Sequence, residues 1–259
     1  MNTILQLTPV QVGLAYIFVL LVLLFLRLTG IRREKELLIS SIRMTLQLIL
    51  VGYLLVWVFA NPHPLITVLI IVVMESFAVF TIWRKFRKVL TRELTRVIAG
   101  AMAIGTLSCI TYFLLIVVQA NPWFNPQYFI PIAGMMIGNS MTGISLAVKN
   151  LTEGMTVQRN IVEEALVLGA TPRDAAREIM NGSFDAAILP TIHSMVGMGI
   201  VFLPGMMTGQ ILSGTDPTTA IAYQIAIMLG ILGSVSITVF LLIQFGYKTF
   251  FTAQQQLRP

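Results

Sequence analysis

The sequence predicts an all-α membrane protein: a polytopic helical bundle of seven transmembrane helices with a short pair of helices on its cytoplasmic face. Three observations carry this. Of 259 residues, 56% are hydrophobic and only 11% are charged, with a mean hydropathy of +0.86. Soluble domains carry about 25% charged residues. Apolar runs of roughly 20 residues, enough to cross a hydrocarbon core about 30 Å thick, recur along the whole chain. The basic residues gather in alternate connections between these runs. The composition excludes a soluble enzyme, a disordered chain and a disulfide scaffold. Cys109 is the single cysteine, so there is neither an internal bridge nor a Cys-x-x-Cys site.

The spans are expected at 9–28, 37–60, 65–83, 97–120, 129–148, 191–213 and 218–245. The first is not read as a cleavable signal, because no basic residue precedes it and its apolar run is too long. Arg27, Arg32, Arg33 and Lys35 follow span one. Arg84, Lys85, Arg87, Lys88, Arg92 and Arg96 follow span three. Lys149, Arg159, Arg173 and Arg177 follow span five, and Lys248 and Arg258 follow span seven. The opposite connections carry no Lys or Arg. Cytoplasmic loops collect Lys and Arg, so the N-terminus is expected outside and the C-terminus in the cytoplasm. Arg43, inside span two, is expected to snorkel to the interface. The net charge of +6 is thus a topology signal and no nucleic-acid partner is expected. The whole chain, 1–259, reads as one transmembrane domain.

Segment 149–190 is the exception among the short connections. A first helix is expected from Thr156, with Val157, Ile161, Ala165 and Leu168 as its apolar stripe and Gly169 as its stop. Thr171-Pro172-Arg173-Asp174 then starts a second helix, with Thr as N-cap and Pro at the first helical position. Asn181-Gly182 is expected to end it. Such a helix–turn–helix suits either a soluble docking partner or a lipid surface.

Spans five and six share a quasi-repeat. Gly134-Met135-Met136-Ile137-Gly138-Asn139 parallels Gly205-Met206-Met207-Thr208-Gly209-Gln210. Gly134, Gly138 and Thr142, and likewise Gly205, Gly209 and Ser213, fall on one helix face each. Two readings stand side by side. Small-residue faces allow close helix packing. Alternatively, the thioethers of Met135, Met136, Met206 and Met207 and the amides of Asn139 and Gln210 line a cation path, thioethers suiting Cu(I)-like ions and oxygens harder ones. Pro131 and Pro204 precede the two motifs and can break their helices. Glu75, near the middle of span three, is either a cation or proton site or an interhelical hydrogen bond. His193 is a ligand or a gate, or a hydrogen-bonded imidazole; without a second histidine nearby it makes a poor metal site.

Six strings, taken in order, resemble one family: Arg43-Met-Thr-Leu-Gln47-Leu with Val51-Gly-Tyr-Leu; Ile130-Pro-Ile-Ala-Gly-Met-Met-Ile-Gly-Asn139; Leu166-Val-Leu-Gly-Ala-Thr-Pro172; Leu189-Pro-Thr-Ile; Leu203-Pro-Gly-Met-Met-Thr-Gly209; and Asp216-Pro with Ala220-Ile-Ala-Tyr-Gln224. The chain resembles the FetB-type iron-export permeases, a family that includes the plant aluminium-tolerance permease. The stretch Glu163-Glu164-Ala165, Gly169, Ile179 also resembles the cytoplasmic loop by which ABC importer permeases seat in their ATPase, although Met180-Asn181 stand where that loop has Leu-Pro.

The resemblance implies the permease subunit of an ABC transporter in the plasma membrane, exporting a metal cation. Glu163, Glu164, Ala165, Gly169, Ala170, Thr171, Pro172 and Ile179 would couple it to a separate cytoplasmic ATPase. By analogy with ABC systems it would work as a homodimer, with ATP and Mg on the partner. The sequence agrees on one point independently: no Gly-x-x-x-x-Gly-Lys-[Ser/Thr] loop occurs, so no cofactor is expected on this chain and it is not itself expected to be an enzyme. An ATP-independent channel or secondary transporter and a non-transporting scaffold remain the alternatives.

Overall fold

A computed structural model describes residues 8–258, and the described residues are helical almost throughout. In chain order the helices are α1 (Pro9–Ala15), α2 (Ile17–Thr29), α3 (Glu34–Ala60), α4 (Pro64–Phe86), α5 (Arg92–Tyr112), α6 (Pro126–Val157), α7 (Arg159–Val167), α8 (Pro172–Ala175), α9 (Arg177–Gly197), α10 (Gly205–Leu212) and α11 (Pro217–Gly246). A π-helical turn, Phe113–Val117, extends α5, and a 3-10 turn, Tyr247–Phe250, follows α11. Six stretches are long and apolar enough to cross a membrane: Pro9–Thr29, Glu34–Ala60, Pro64–Phe86, Arg92–Val117, Pro126–Val157 and Pro217–Phe250.

The chain divides into two compact units. The first holds α1–α3. Tyr16, at the joint between α1 and α2, hydrogen-bonds the Thr45 hydroxyl and donates to the Ser41 carbonyl at 3.4 Å, tying the hairpin together. The second unit holds α4 to α11. Its centre is α11, which packs on α5, α6 and α9, while α6 also meets α4 and α5. Met102, Ile144, Leu151, Val239 and Leu242 are buried there. Lipid tails are as apolar as leucine, so helices in a bilayer are held by close packing and interhelical hydrogen bonds rather than by escape from water. The Ser140 and Ser234 hydroxyls bond at 2.9 Å between α6 and α11. At Gly105 the backbones of α5 and α11 cross so closely that an added Cβ would lie 2.8 Å from the Thr238 Cα.

Three expectations need correction. The stretch 191–213, expected as one helix and the sixth span, is discontinuous and is not among the stretches long and apolar enough to cross a membrane. The chain leaves α9 after Gly197 and re-enters a helix only at Gly205. Gly199 takes φ +81, a conformation side-chain-bearing residues avoid, and Pro204 has no N–H to continue a helix. The stretch closes on itself: Val201 N–H donates to Gly197 O at 2.9 Å, and Gly199 N–H to Phe202 O at 3.0 Å. Second, α6 does not end at 148 but runs 32 residues, about 48 Å at 1.5 Å per residue, longer than a bilayer core. The first helix of the 149–190 segment therefore starts at Arg159, not Thr156. Third, Asn181-Gly182 does not stop the second helix. The chain makes one turn as α8, shifts at Ala176 and continues as α9, because Ser183 and Ala187 are buried on neighbouring helices and tertiary packing overrides the local turn preference. Pro131 likewise sits inside α6 without ending it.

Replacing Gly105 by Leu should force α5 and α11 apart and destabilise the protein by about 1–3 kcal/mol, read as a lower thermal midpoint in detergent. Gly100→Ala, on the same helix with open space around it, should leave the midpoint unchanged or raise it. Equal midpoints for wild type and Gly105→Leu would contradict the assigned crossing.

Candidate functional site

The break between α9 and α10 opens onto a cavity of about 260 Å³ in the second unit. Met135, Asn139, Thr142 and Gly143 of α6 form one wall, and Ala187, Pro190, Thr191 and Ser194 of α9 a second. Met198, Phe202 and Pro204 of the broken stretch and Gly205 and Met206 of α10 form a third. Gln224, Met228 and Ile231 of α11 close it. The polar groups here are arranged as oxygen acceptors. Gln224 is 7% exposed, and its side-chain oxygen is buried without a hydrogen-bond partner. The Asn139 amide nitrogen donates to Met135 O at 2.7 Å. Thr142 and Ser194 donate their protons to Gly138 O (3.1 Å) and Pro190 O (2.9 Å), which leaves their oxygen lone pairs available. Among the described residues the lining carries no charged side chain.

The quasi-repeat is thus only half brought together. Met135, Asn139, Thr142, Gly205 and Met206 share the cavity. Met136 and Met207 are buried away from it, Met136 reaching instead toward Gly230. Gln210 does not line it, and Gln224 takes the amide position. His193 is exposed on α9 and is not on the lining. The small residues divide too. Gly134 meets Met74 of α4 closely, but Gly138, Gly205 and Gly209 have open space where a Cβ would go, and Ser213 lies beyond the end of α10. Close helix contacts fall at Gly105, Gly143, Gly154 and Gly230 instead. Single glycines outside a repeated motif gave no sequence signal. Glu75 is buried, accepting a hydrogen bond from the Thr106 hydroxyl of α5, and is not on the cavity wall.

A second site is the α7–α8 turn. Arg159 pairs with Glu163 at 2.7 Å. Gly169, at φ +94, reverses the chain, and Ala170 N–H donates back to Ala165 O at 3.0 Å. Thr171 caps α8 by accepting from Asp174 N–H at 3.2 Å, with Pro172 at the first helical position. Ile179 is buried against Gly154 of α6, where an added Cβ would lie 2.6 Å from its Cγ2. The expected stripe faces outward: Val157, Ile161 and Leu168 are 82%, 63% and 88% exposed, and Val162 is the side chain that α7 buries. Glu164 and Val167 are exposed beside them. Leu166, Val167 and Glu163 also border a cleft against the C-terminal stretch at Gln254–Leu257. That stretch is pinned by an Arg258–Glu93 ion pair at 2.8 Å.

A family model described as "Uncharacterised protein family (UPF0014)" matches residues 9–251. The chain belongs to the UPF0014 family. It is 33% identical to the UPF0014 membrane protein YjkA of Bacillus subtilis over 248 residues, covering 96% of this chain and 97% of the relative. It is 32% identical over 252 residues to the "Probable iron export permease protein FetB" of Escherichia coli, 97% and 95% covered, and 33% identical over 249 residues to Protein ALUMINUM SENSITIVE 3 of Arabidopsis thaliana, 96% and 89% covered. No solved structure matches. With its apolar helices, this UPF0014 chain is a multi-pass membrane protein. The family match spans both the cavity and the α7–α8 turn. At the start of α11, Asp216 acts as a helix cap: the Thr218 hydroxyl and the Thr219 and Thr218 N–H groups hold its carboxyl below the usual carboxylate range.

Because Glu75 packs against Thr106 away from the cavity, Glu75→Gln, which keeps a hydrogen-bonding terminus of the same shape, should change stability by less than about 1 kcal/mol, read as an unchanged thermal midpoint in detergent. A midpoint that falls by several degrees would show that the second carboxylate oxygen, buried without a partner in this structure, needs its charge.

Proposed function

We propose that this chain is the membrane-spanning permease subunit of an ABC transporter in the plasma membrane, exporting a metal cation with energy from a separate cytoplasmic ATPase. The observation that carries this reading is the α7–α8 turn. Val157 at the end of α6, Ile161 on α7 and Leu168 just past α7 present apolar surface outward, α7 is anchored on its other side by the buried Val162, and the turn is closed by Gly169. An exposed apolar cluster of this kind marks an interaction surface. The printed name of the Escherichia coli relative, "Probable iron export permease protein FetB", supports the transport reading and makes iron the first cation to consider.

The working unit in this proposal is a homodimer with two ATPase chains, ATP and Mg residing on the latter. Each chain crosses seven times, α1–α2 making the first crossing and the discontinuous α9–α10 the sixth. In this reading the N-terminus lies outside and the C-terminus inside, which the distribution of Lys and Arg supports. Closure of the ATPase would press on α7 and α8. The shift would pass along α9, which joins the anchor at Ile179 to the cavity wall at Ser194. This chain hydrolyses nothing itself.

A secondary transporter is the second reading, favoured by the discontinuous helix beside a cavity, a geometry common in such proteins. ATP depletion separates the two, since only the first reading requires transport to stop.

The direct test is co-purification. A tagged chain, gently solubilised from its own host, should carry an ATP-binding protein in stoichiometric amount. Leu168→Asp, which adds charge to the exposed stripe without straining the Gly169 turn, should weaken that capture at least tenfold while the thermal midpoint stays unchanged. A folded protein that captures no ATPase would overturn the ABC reading.

A further inference from the structure

We propose that the cavity between α6, α9, α10 and α11 is a binding site for a soft, monovalent cation of the Cu(I) and Ag(I) class, held by the thioethers of Met135, Met198, Met206 and Met228 and the side-chain oxygen of Gln224. This rests on the permease reading and departs from iron, the cation that the relative's name suggests, in naming a soft monovalent one.

Four methionines from four different chain segments converge on one cavity. Sequence proximity does not explain it: Met198 lies on the broken stretch and Met228 on α11, outside both copies of the repeated motif. Nor does packing alone. Methionine ordinarily fills irregular gaps, and protein interiors have few voids larger than a water molecule. Here the four side chains border about 260 Å³ of space, enough for a cation with part of its hydration shell. The Gln224 oxygen, buried and without a partner, adds an acceptor where a hydrogen bond or a cation is needed to offset its burial. The broken helix adds a further cation-friendly feature, since interrupted helices expose backbone carbonyls to a site.

The donor set decides the class of cation. Thioethers are soft ligands that select Cu(I)-like ions. Hard divalent and trivalent cations want carboxylates, and the lining holds none among the described residues. No group of three or more His, Cys, Asp or Glu residues that could hold a metal occurs among the described residues either. A neutral, largely apolar cavity also penalises a multiply charged ion more steeply than a monovalent one.

The test uses the purified full chain in detergent with Cys109→Ser, which removes the single thiol. Cu(I) is presented in a buffer of a colorimetric chelator of known affinity. The chain should retain one Cu(I), and a hundredfold excess of Fe(II) should not displace it. The fourfold replacement of Met135, Met198, Met206 and Met228 by Leu, a volume-conserving change that cores tolerate, should weaken retention at least tenfold. Replacing Met44 and Met141, which lie off the cavity, should have no effect. Equal retention by the fourfold variant, or ready displacement by Fe(II), overturns the proposal. Should the fourfold variant not fold, copper-edge X-ray absorption of the loaded Cys109→Ser chain decides: sulfur scatterers support the site, and a shell of oxygen and nitrogen alone overturns it. Because no ATPase is present, failure here leaves ATPase capture intact, and failure of that capture leaves this binding intact.

Discussion

Backbone N–H and C=O groups inside a bilayer must find partners within the protein, and the cavity of this structure forms where the chain between α9 and α10 leaves the helical pattern. A continuous helix pairs these groups automatically. Residues 198–204 do not form one. They close on themselves through hydrogen bonds from Val201 to Gly197 and from Gly199 to Phe202, while Pro204 removes the next donor. This stretch supplies Met198, Phe202 and Pro204 to a cavity wall, while Ile200 and Val201 are 90% and 80% exposed. The cavity thus arises where α9 stops and α10 starts. The walls opposite, α6 and α11, are fixed in turn by the Ser140–Ser234 bond and the close contact of Gly143 with Val235.

The two candidate sites meet on α9. At one end Ile179 seats against Gly154 on the extension of α6; toward the other end, Thr191 and Ser194 face the cavity. A single helix of 21 residues spans about 32 Å. In the proposed mechanism it links the ATPase-facing turn to the substrate cavity, with Pro190 inside it between the two ends. The short α8 and the shift at the buried Ala176 join it to that turn.

Much of this was legible in the sequence, and what was not has physical causes. Hydropathy located the apolar stretches because each must match the thickness of a bilayer. Thr171-Pro172 marked the start of α8 because capping is a local interaction. The extension of α6 to Val157 was hidden: Lys149 and Glu153 look like loop residues, yet they are neighbours on an exposed helix face, 3.9 Å apart. Asn181-Gly182 looked like a stop, but the packing of α9 overrides that preference. The stripe of α7 was legible as apolar but not in its direction, since periodicity cannot tell a core-facing side chain from one awaiting a partner. In the cavity, the Gly-Met-Met repeat pointed to Met135 and Met206. Met136, Met207 and Gln210 fall off the cavity lining, because which of two adjacent side chains faces inward depends on helix rotation. Met198, Met228 and Gln224 carried no motif and were visible only once the helices were assembled.

The account's central claim is that the cavity opens to one side of the membrane at a time, under control of an ATPase docked at α7–α8. Its most direct measurement is sided labelling of Ser194→Cys in a Cys109→Ser background, reconstituted in vesicles with the captured ATPase, using a membrane-impermeant thiol reagent. The account predicts labelling from the cytoplasmic side without ATP, and from the opposite side when ATP is bound and hydrolysis is blocked. Labelling that ignores ATP, or that proceeds equally from both sides, would contradict it.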